Sequence, residues 1–265
     1  EWHQPVLEKL GLGSVRWPRI VPQGSVIGEW SHRGQRLPVY APVGDYHCSQ
    51  VGSLLEADEL SVNISTGSAV LQIAKTLGAG DYQMRPWFDG CHLKTITHLP
   101  AGRALNALVR LLTELDTAHG GVPNDPWDYI LSASERLDAA GLQVDPAFYP
   151  CKTGDRGAIF NLCEENMTVG HLFHAVFCGM ADNYANATRR IAPDRDWSRI
   201  VFSGGIALKN PVLRRLIGER LGGAHRLAPS EEDTLFGLLV LARAFSGAAT
   251  SVFDAIQQVR SEQQQ

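Results

Sequence analysis

Cysteine is scarce in this chain, and what there is does not pair up. Five residues at irregular spacing, with no Cys-x-x-Cys, indicate neither a disulfide framework nor a zinc ribbon. A reducing compartment fits that usage, so a cytoplasmic location is expected. There is no basic excess. The formal net charge is −4, which argues against a nucleic-acid binder driven by phosphate neutralisation. No run approaches the roughly eighteen apolar residues of a membrane span, and no signal peptide is visible. Gly-x-x-x-x-Gly-Lys-Ser/Thr, Gly-x-Gly-x-x-Gly and His-Glu-x-x-His are all missing, so P-loop, dinucleotide and metalloprotease readings have no support. The chain opens on Glu1-Trp2-His3-Gln4-Pro5 without Met, and a fragment or processed product is the expectation.

What remains is an ordinary globular composition. Of 265 residues, 44% are apolar and 20% charged, enough to bury a large core in one or two domains. Strand patterns mix with long helical ones, which indicates α/β or α+β. The first 40 residues are broken by Pro18, Pro22, Gly24, Gly28 and Gly34. A short helix is expected at Val6–Leu10, with extended pieces at Arg19–Val21 and Ser25–Gly28. Further along, a helix is predicted over Ser49–Leu55. Strands are predicted at Leu60–Ile64, Ala69–Ala74 and Cys91–His98. Leu105, Leu108, Leu112 and Leu115 repeat at helical spacing within Arg103–Ala118. Helices are also expected over Pro126–Ala140 and Thr168–Ile191. A short buried strand at Ile200–Phe202 runs into Ser203-Gly204-Gly205. Asn210-Pro211 then starts a helix through Leu221, since Asn is a good N-cap and Pro suits the first helical position. Ser230 is read as the cap of the next helix, with Asp233 three residues on. The polar end, Gln257–Gln265, is expected to fray.

Several groups could carry chemistry. Gly44-Asp45 offers a carboxylate, which is either a turn or a base placed to take a proton from a hydroxyl. Ser65-Thr66-Gly67-Ser68 sits between two strand patterns. It is either a plain loop or a cradle where small residues let the backbone approach phosphate oxygens. Ser203-Gly204-Gly205 before a capped helix is a strand–glycine–helix step, and taken alone it reads best as a simple connecting turn. His171, His174 and Cys178 share a helix, but apolar neighbours favour packing over a metal site. His47 and Cys48, read as neighbours on a strand, would point apart, so Cys48 is taken as packed. Trp87-Phe88-Asp89-Gly90 could line a sugar or form an aromatic hairpin tip.

In order, Gly44-Asp45, Asn63-Ile64-Ser65-Thr66-Gly67, Ser203-Gly204-Gly205 with Asn210-Pro211, and Glu232-Asp233-Thr234-Leu235-Phe236-Gly237 resemble the FGGY carbohydrate kinases. With His98-Leu99-Pro100-Ala101-Gly102-Arg103-Ala104-Leu105-Asn106, the chain is most similar to the sedoheptulokinase-like branch. The resemblance implies an α/β fold of the RNase-H-like (actin/hexokinase/Hsp70) type. Residues 1–55 would be the end of the first domain, 56–249 the C-terminal nucleotide-binding domain and 250–265 a tail. It implies ATP and Mg²⁺ as cofactors and a sugar as substrate. Asp45 would be the general base, and Ser65, Thr66 and Gly67 the second phosphate loop. Gly204 and Gly205 would form the adenosine motif, with Lys209 and Asn210 near the nucleotide.

The sequence departs from that pattern in three places. Tyr46-His47 stand where the family usually has Gln-Gln. Lys209 stands where some relatives have Asn. The family's opening Asp-x-Gly-Thr/Ser phosphate loop does not occur in these residues. An ATP-dependent ketose or polyol kinase is therefore expected, present as its C-terminal part and inactive alone without the first domain as partner. Xylulose, ribulose or gluconate are the alternative substrates. A non-catalytic nucleotide-binding or scaffold module is the alternative class. An apolar surface left by a missing first domain would favour homo-oligomers.

Overall fold

The computed structural model describes residues 1–121, 124–137 and 141–263. The chain begins with α1 (Gln4–Lys9) and the hairpin β1 (Val26–His32) and β2 (Gln35–Tyr40). Arg19–Val21 forms no strand. Pro18 and Pro22 bracket it, and proline withholds the N–H that a ladder needs. Every residue of β1 is exposed.

Helix α2 (Asp45–Gly52) starts four residues earlier than the sequence suggested. Asp45 is its first residue and Gly44 its N-cap, so Gly44-Asp45 is a helix entry. It also follows that His47 and Cys48 are helical neighbours and not strand neighbours. Next come β3 (Glu59–Ile64), β4 (Ser68–Ala74), β5 (Gln83–Pro86) and β6 (His92–Leu99). Helices α3 (Gly102–Ala118) and α4 (Trp127–Ser134) follow. The predicted second helix is thus shorter than Pro126–Ala140, whose residues 138–140 lie outside the described residues. On α3 the leucine spacing only half-succeeds. Leu105 and Leu108 are buried, while Leu112 and Leu115 are exposed, because the helix runs past the edge of the core.

The small pair β7 (Gln143–Asp145) and β8 (Ala158–Phe160) precedes α5 (Val169–Ile191), which Thr168 caps through its hydroxyl. Strand β9 (Arg199–Ser203) leads into the short α6 (Gly205–Lys209) and then α7 (Pro211–Leu221). Asn210 caps α7, its Oδ1 accepting from Leu213 N–H at 2.9 Å. Strand β10 (Ala224–Leu227), α8 (Asp233–Phe245) and α9 (Val252–Gln263) complete the chain. The cap of α8 is Glu232, and Ser230 instead accepts from Glu232 N–H at 3.1 Å within the approach turn. The end does not fray at Gln257. Val252, Ala255, Ile256 and Val259 bury one face of α9 and hold it to Gln263.

Six strands form one sheet in the order β10-β9-β3-β4-β6-β5. Strands β10, β9 and β3 are parallel, and β4, β6 and β5 continue it antiparallel. Alternation along each strand sends side chains to two cores. Leu60, Val62, Ile64, Ile200 and Phe202 face α3, α5 and α7. Leu71, Ile73 and Val201 face α2, α8 and α9. The aromatic tip Trp87-Phe88 is buried in the second core, and the Asp89 carboxylate accepts from Val252 and Phe253 N–H at the start of α9. That stretch is a packed hairpin tip. Among the described residues no helix is long and apolar enough to cross a membrane.

Candidate functional site: a cleft at the ends of two parallel strands

Strands β3 and β9 run side by side and in the same direction, with Asn63 opposite Ser203 in register. Their C-terminal ends therefore finish together, where parallel α/β sheets place ligand sites. Beyond β3 comes the turn Ser65-Thr66-Gly67, and beyond β9 comes Gly204-Gly205. Asn63 Nδ2 donates to Ser203 Oγ at 2.8 Å and ties the two exits. The turn itself is tight: Ser65 N–H donates to Gly67 O at 2.9 Å. Helix α3 docks onto it, with Gly102 and Arg103 N–H donating to the Ser65 and Thr66 carbonyls at 3.1 and 3.2 Å.

Gly204 must be glycine for two reasons. Its φ is +85°, and a Cβ would sit 2.5 Å from Ile64 O. Gly205 differs: a Cβ there would meet nothing within 4 Å. Its backbone faces open space, which lets a flat ligand lie against it.

Two cavities open on these loops. One, of about 410 Å³, is bordered by Asp45, Ser65, Gly204 and Gly205, together with Glu231, Asp233 and Thr234. The other, of about 620 Å³, is bordered by Ser65, Thr66, Gly205, Lys209 and Asn210, with Trp127, Leu131 and Ile206 as apolar wall. Ser65 and Gly205 belong to both, so the two are one cleft divided at those residues. Of the eight positions singled out in the sequence, seven border it. Gly67 does not; it serves the turn.

Asp45 reaches the cleft because α2 is pinned from behind. Gln50, on its buried face, accepts from Ser61 Oγ of β3 at 2.8 Å. Asp45 itself is exposed and its Oδ1 accepts from Tyr46 N–H at 2.7 Å.

The chain is matched by the model of the FGGY family of carbohydrate kinases, C-terminal domain, over residues 101–245, more than half its length. The chain belongs to the FGGY family of carbohydrate kinases. No curated protein matches it by sequence. By fold it is similar to the ligand-bound xylulose kinase of Lactobacillus acidophilus, with a TM-score of 0.79 at 18% identity. A gluconate kinase of the same organism gives the same TM-score and identity. The glycerol kinase of Plasmodium falciparum with ADP gives 0.77 at 17%. These alignments cover 97%, 97% and 98% of this chain and 54% of each of those chains. This FGGY chain thus spans about half the length of the kinases it resembles.

Both residues that replace the usual FGGY Gln-Gln are anchored on the protein through their polar atoms, and Tyr46 also borders the smaller cavity. The Tyr46 hydroxyl lies 2.6 Å from Thr95 Oγ1, and burial pushes the phenol up to about 12. His47 Nε2 lies 2.9 Å from Pro86 O, and the ring stacks on Trp87. Lys209 pairs with Glu231 at 3.2 Å across the mouth of the cleft. Asn210 gives its side-chain oxygen to the α7 cap. Several residues that border the cleft were given no binding or catalytic role from sequence: Asp233, read only as part of a helix cap, with Thr234, Asn106, Trp127 and Asp128. Burial raises the Asp233 carboxyl above its ordinary range, and nearby Glu232 adds to this against hydrogen bonds from Thr234. The Glu232–Gly237 motif was the available signal for Asp233, since it places a helix N-terminus there.

Among the described residues no three or more His, Cys, Asp or Glu side chains are grouped to hold a metal ion. His174, one of the residues considered for zinc, is buried with Nδ1 3.0 Å from Ser134 O.

Proposed function

We propose that this chain is the nucleotide-binding half of an ATP-dependent carbohydrate kinase that phosphorylates a ketose or polyol hydroxyl. The observation that carries this reading is that Asp45, Ser65 and Gly204-Gly205 border one cavity, although they lie far apart in sequence. Residues 1–55, 56–249 and 250–265 are taken as the end of a first domain, the C-terminal domain and its tail.

The residues fit a nucleotide. The larger cavity has a size suited to one, an apolar wall for the base, and the open Gly205 backbone where the ligand approaches. The Ser65 and Thr66 hydroxyls stand where phosphate oxygens would be held. Mg²⁺ commonly binds through one or two carboxylates plus the nucleotide phosphates. Asp233 and Glu231, which border the smaller cavity, are the carboxylates for that role, so a metal arriving with the nucleotide fits and a protein-only cage is not needed. When bound, Mg²⁺ neutralises phosphate charge.

Asp45 is assigned as the base. Its exposed carboxylate accepts the proton of the acceptor hydroxyl as that oxygen bonds to the transferred phosphorus and ADP leaves. The remaining residues position and exclude water. The sugar's other contacts come from a first domain that completes the cleft. The sequence favours a sedoheptulose-like substrate, with xylulose, ribulose and gluconate as alternatives.

Coupled ADP release with sedoheptulose, ribulose, xylulose and gluconate tests the reading. The 265 residues alone give no robust turnover, and the chain joined to a first domain does. There, Asp45→Asn lowers kcat by about 10²–10⁴-fold. Unchanged turnover in that variant removes Asp45 from the chemistry. A second reading, a nucleotide-binding module without catalysis, is favoured if ATP stabilises the joined protein thermally but no sugar releases ADP.

A further inference from the structure

Away from the cleft, a cavity of about 540 Å³ opens between α5, β7 and the end of α7. It shares no lining residue with either cleft cavity. Its floor depends on Gly179. A Cβ there would sit 2.2 Å from Val144 O, so β7 rests directly on α5.

The chemistry of the lining is specific. Asn183 Nδ2 is buried and has no hydrogen-bond partner among the described residues. A buried amide donor left unpaired costs stability, so an acceptor entering the cavity has something to gain. Arg220 is already held by Asp182, and Asp145 adds a second carboxylate. One cation against two carboxylates leaves the cavity unfavourable to anions. Carboxylates instead accept from hydroxyl groups. Phe160, 53% exposed, offers an aromatic face at the rim. An aromatic face with converging amide and carboxylate groups suits a molecule that is apolar on one side and rich in hydroxyls on the other.

We propose that this cavity is a second binding site, taking a neutral polyhydroxylated molecule of the monosaccharide or polyol class. It is separate from the cleft. Asn210, which caps α7, borders the cleft, and Arg220, near the other end of α7, borders this cavity. They are ten residues apart on that rod, about 15 Å. Binding here does not depend on phosphoryl transfer.

The test is a ¹⁵N–¹H NMR titration of the chain with xylitol and with D-fructose, and with gluconate as the anionic comparison. The expected result is saturable shifts at the amides of Val144, Gly179 and Asn183 with at least one neutral ligand, and much weaker shifts with gluconate. Asn183→Leu and Phe160→Ala each weaken the binding by about tenfold, and Asp45→Asn leaves these shifts unchanged. Phe160 is exposed, so its variant keeps the fold and reads binding even if the Asn183 variant does not. No saturable shift at these amides up to the solubility limit overturns the proposal. So does an equal response to gluconate, or indifference to Phe160→Ala in a folded spectrum. Loss of the shifts in Asp45→Asn also overturns it, by placing the ligand in the cleft.

Discussion

Gly52 of α2 and Gly237 of α8 face each other where the two helices cross. A Cβ on Gly52 would meet Gly237 N at 2.8 Å and Asp233 O at 1.8 Å. One on Gly237 would meet Cys48 O at 1.8 Å. The helices therefore touch backbone to backbone, closer than side-chain packing permits. That contact brings the first residues of both, Asp45 and Asp233, to the same cavity. The glycine of the Glu232–Gly237 motif thus sets the site geometry without touching a ligand.

Gly237→Ala is expected to force the helices apart. Overpacking of this kind costs about 1–3 kcal/mol and at times more. Urea denaturation measures the loss. The same substitution at Gly205, where the space is open, changes stability far less.

At the opposite end of β3, Glu59 is fully buried and bonded to two arginines. Arg226 donates from Nε at 2.8 Å and Arg199 from Nε at 2.5 Å. Arg260 of α9 joins through Glu56 at 2.6 Å. Burial alone would raise the Glu59 carboxyl. The hydrogen bonds and charge of Arg226, with help from Arg199 and the Glu56 amide, outweigh it and lower the value. A lowered carboxylate contributes stability above its unfolded value, about 4.3, and loses it as pH falls through the folded value. Melting temperature should therefore drop below pH ~4. Glu59→Gln should cost about 3–5 kcal/mol at pH 7, and the gap from wild type should narrow in acid.

Asn210→Ala removes the cap of α7 and should cost about 1 kcal/mol, read as a shift of the urea midpoint. Asn210→Ser retains most of that stability, since its hydroxyl can accept the same N–H.

Much of this was legible in the sequence because local rules and tertiary needs coincide. The Asn210-Pro211 start and the Leu60–Ile64 and Ala69–Ala74 strands rest on capping and alternation that packing did not override. The order of the Asp45, Ser65–Gly67 and Gly204–Gly205 motifs pointed to a family. Other features were not legible. Ser230 is a strong capping residue by type, yet Glu232 holds the position, because the chain must turn before α8 can reach α2. The polar Gln257–Gln263 segment is helical because its buried face packs beneath the sheet, and Arg260 meets Glu56 from a distant part of the chain. The helical placement of Asp45 depends on Gln50 finding Ser61 across the core, a contact that no local pattern announces.

The most direct test of the cleft is calorimetric titration of the chain with MgADP, alongside Gly205→Val. Nothing lies within 4 Å of a Cβ at that position, so the variant keeps its fold while filling the space next to Ser65. The account predicts measurable binding by the parent chain and a loss of about tenfold or more in the variant. Equal MgADP affinity in the two folded proteins would contradict it.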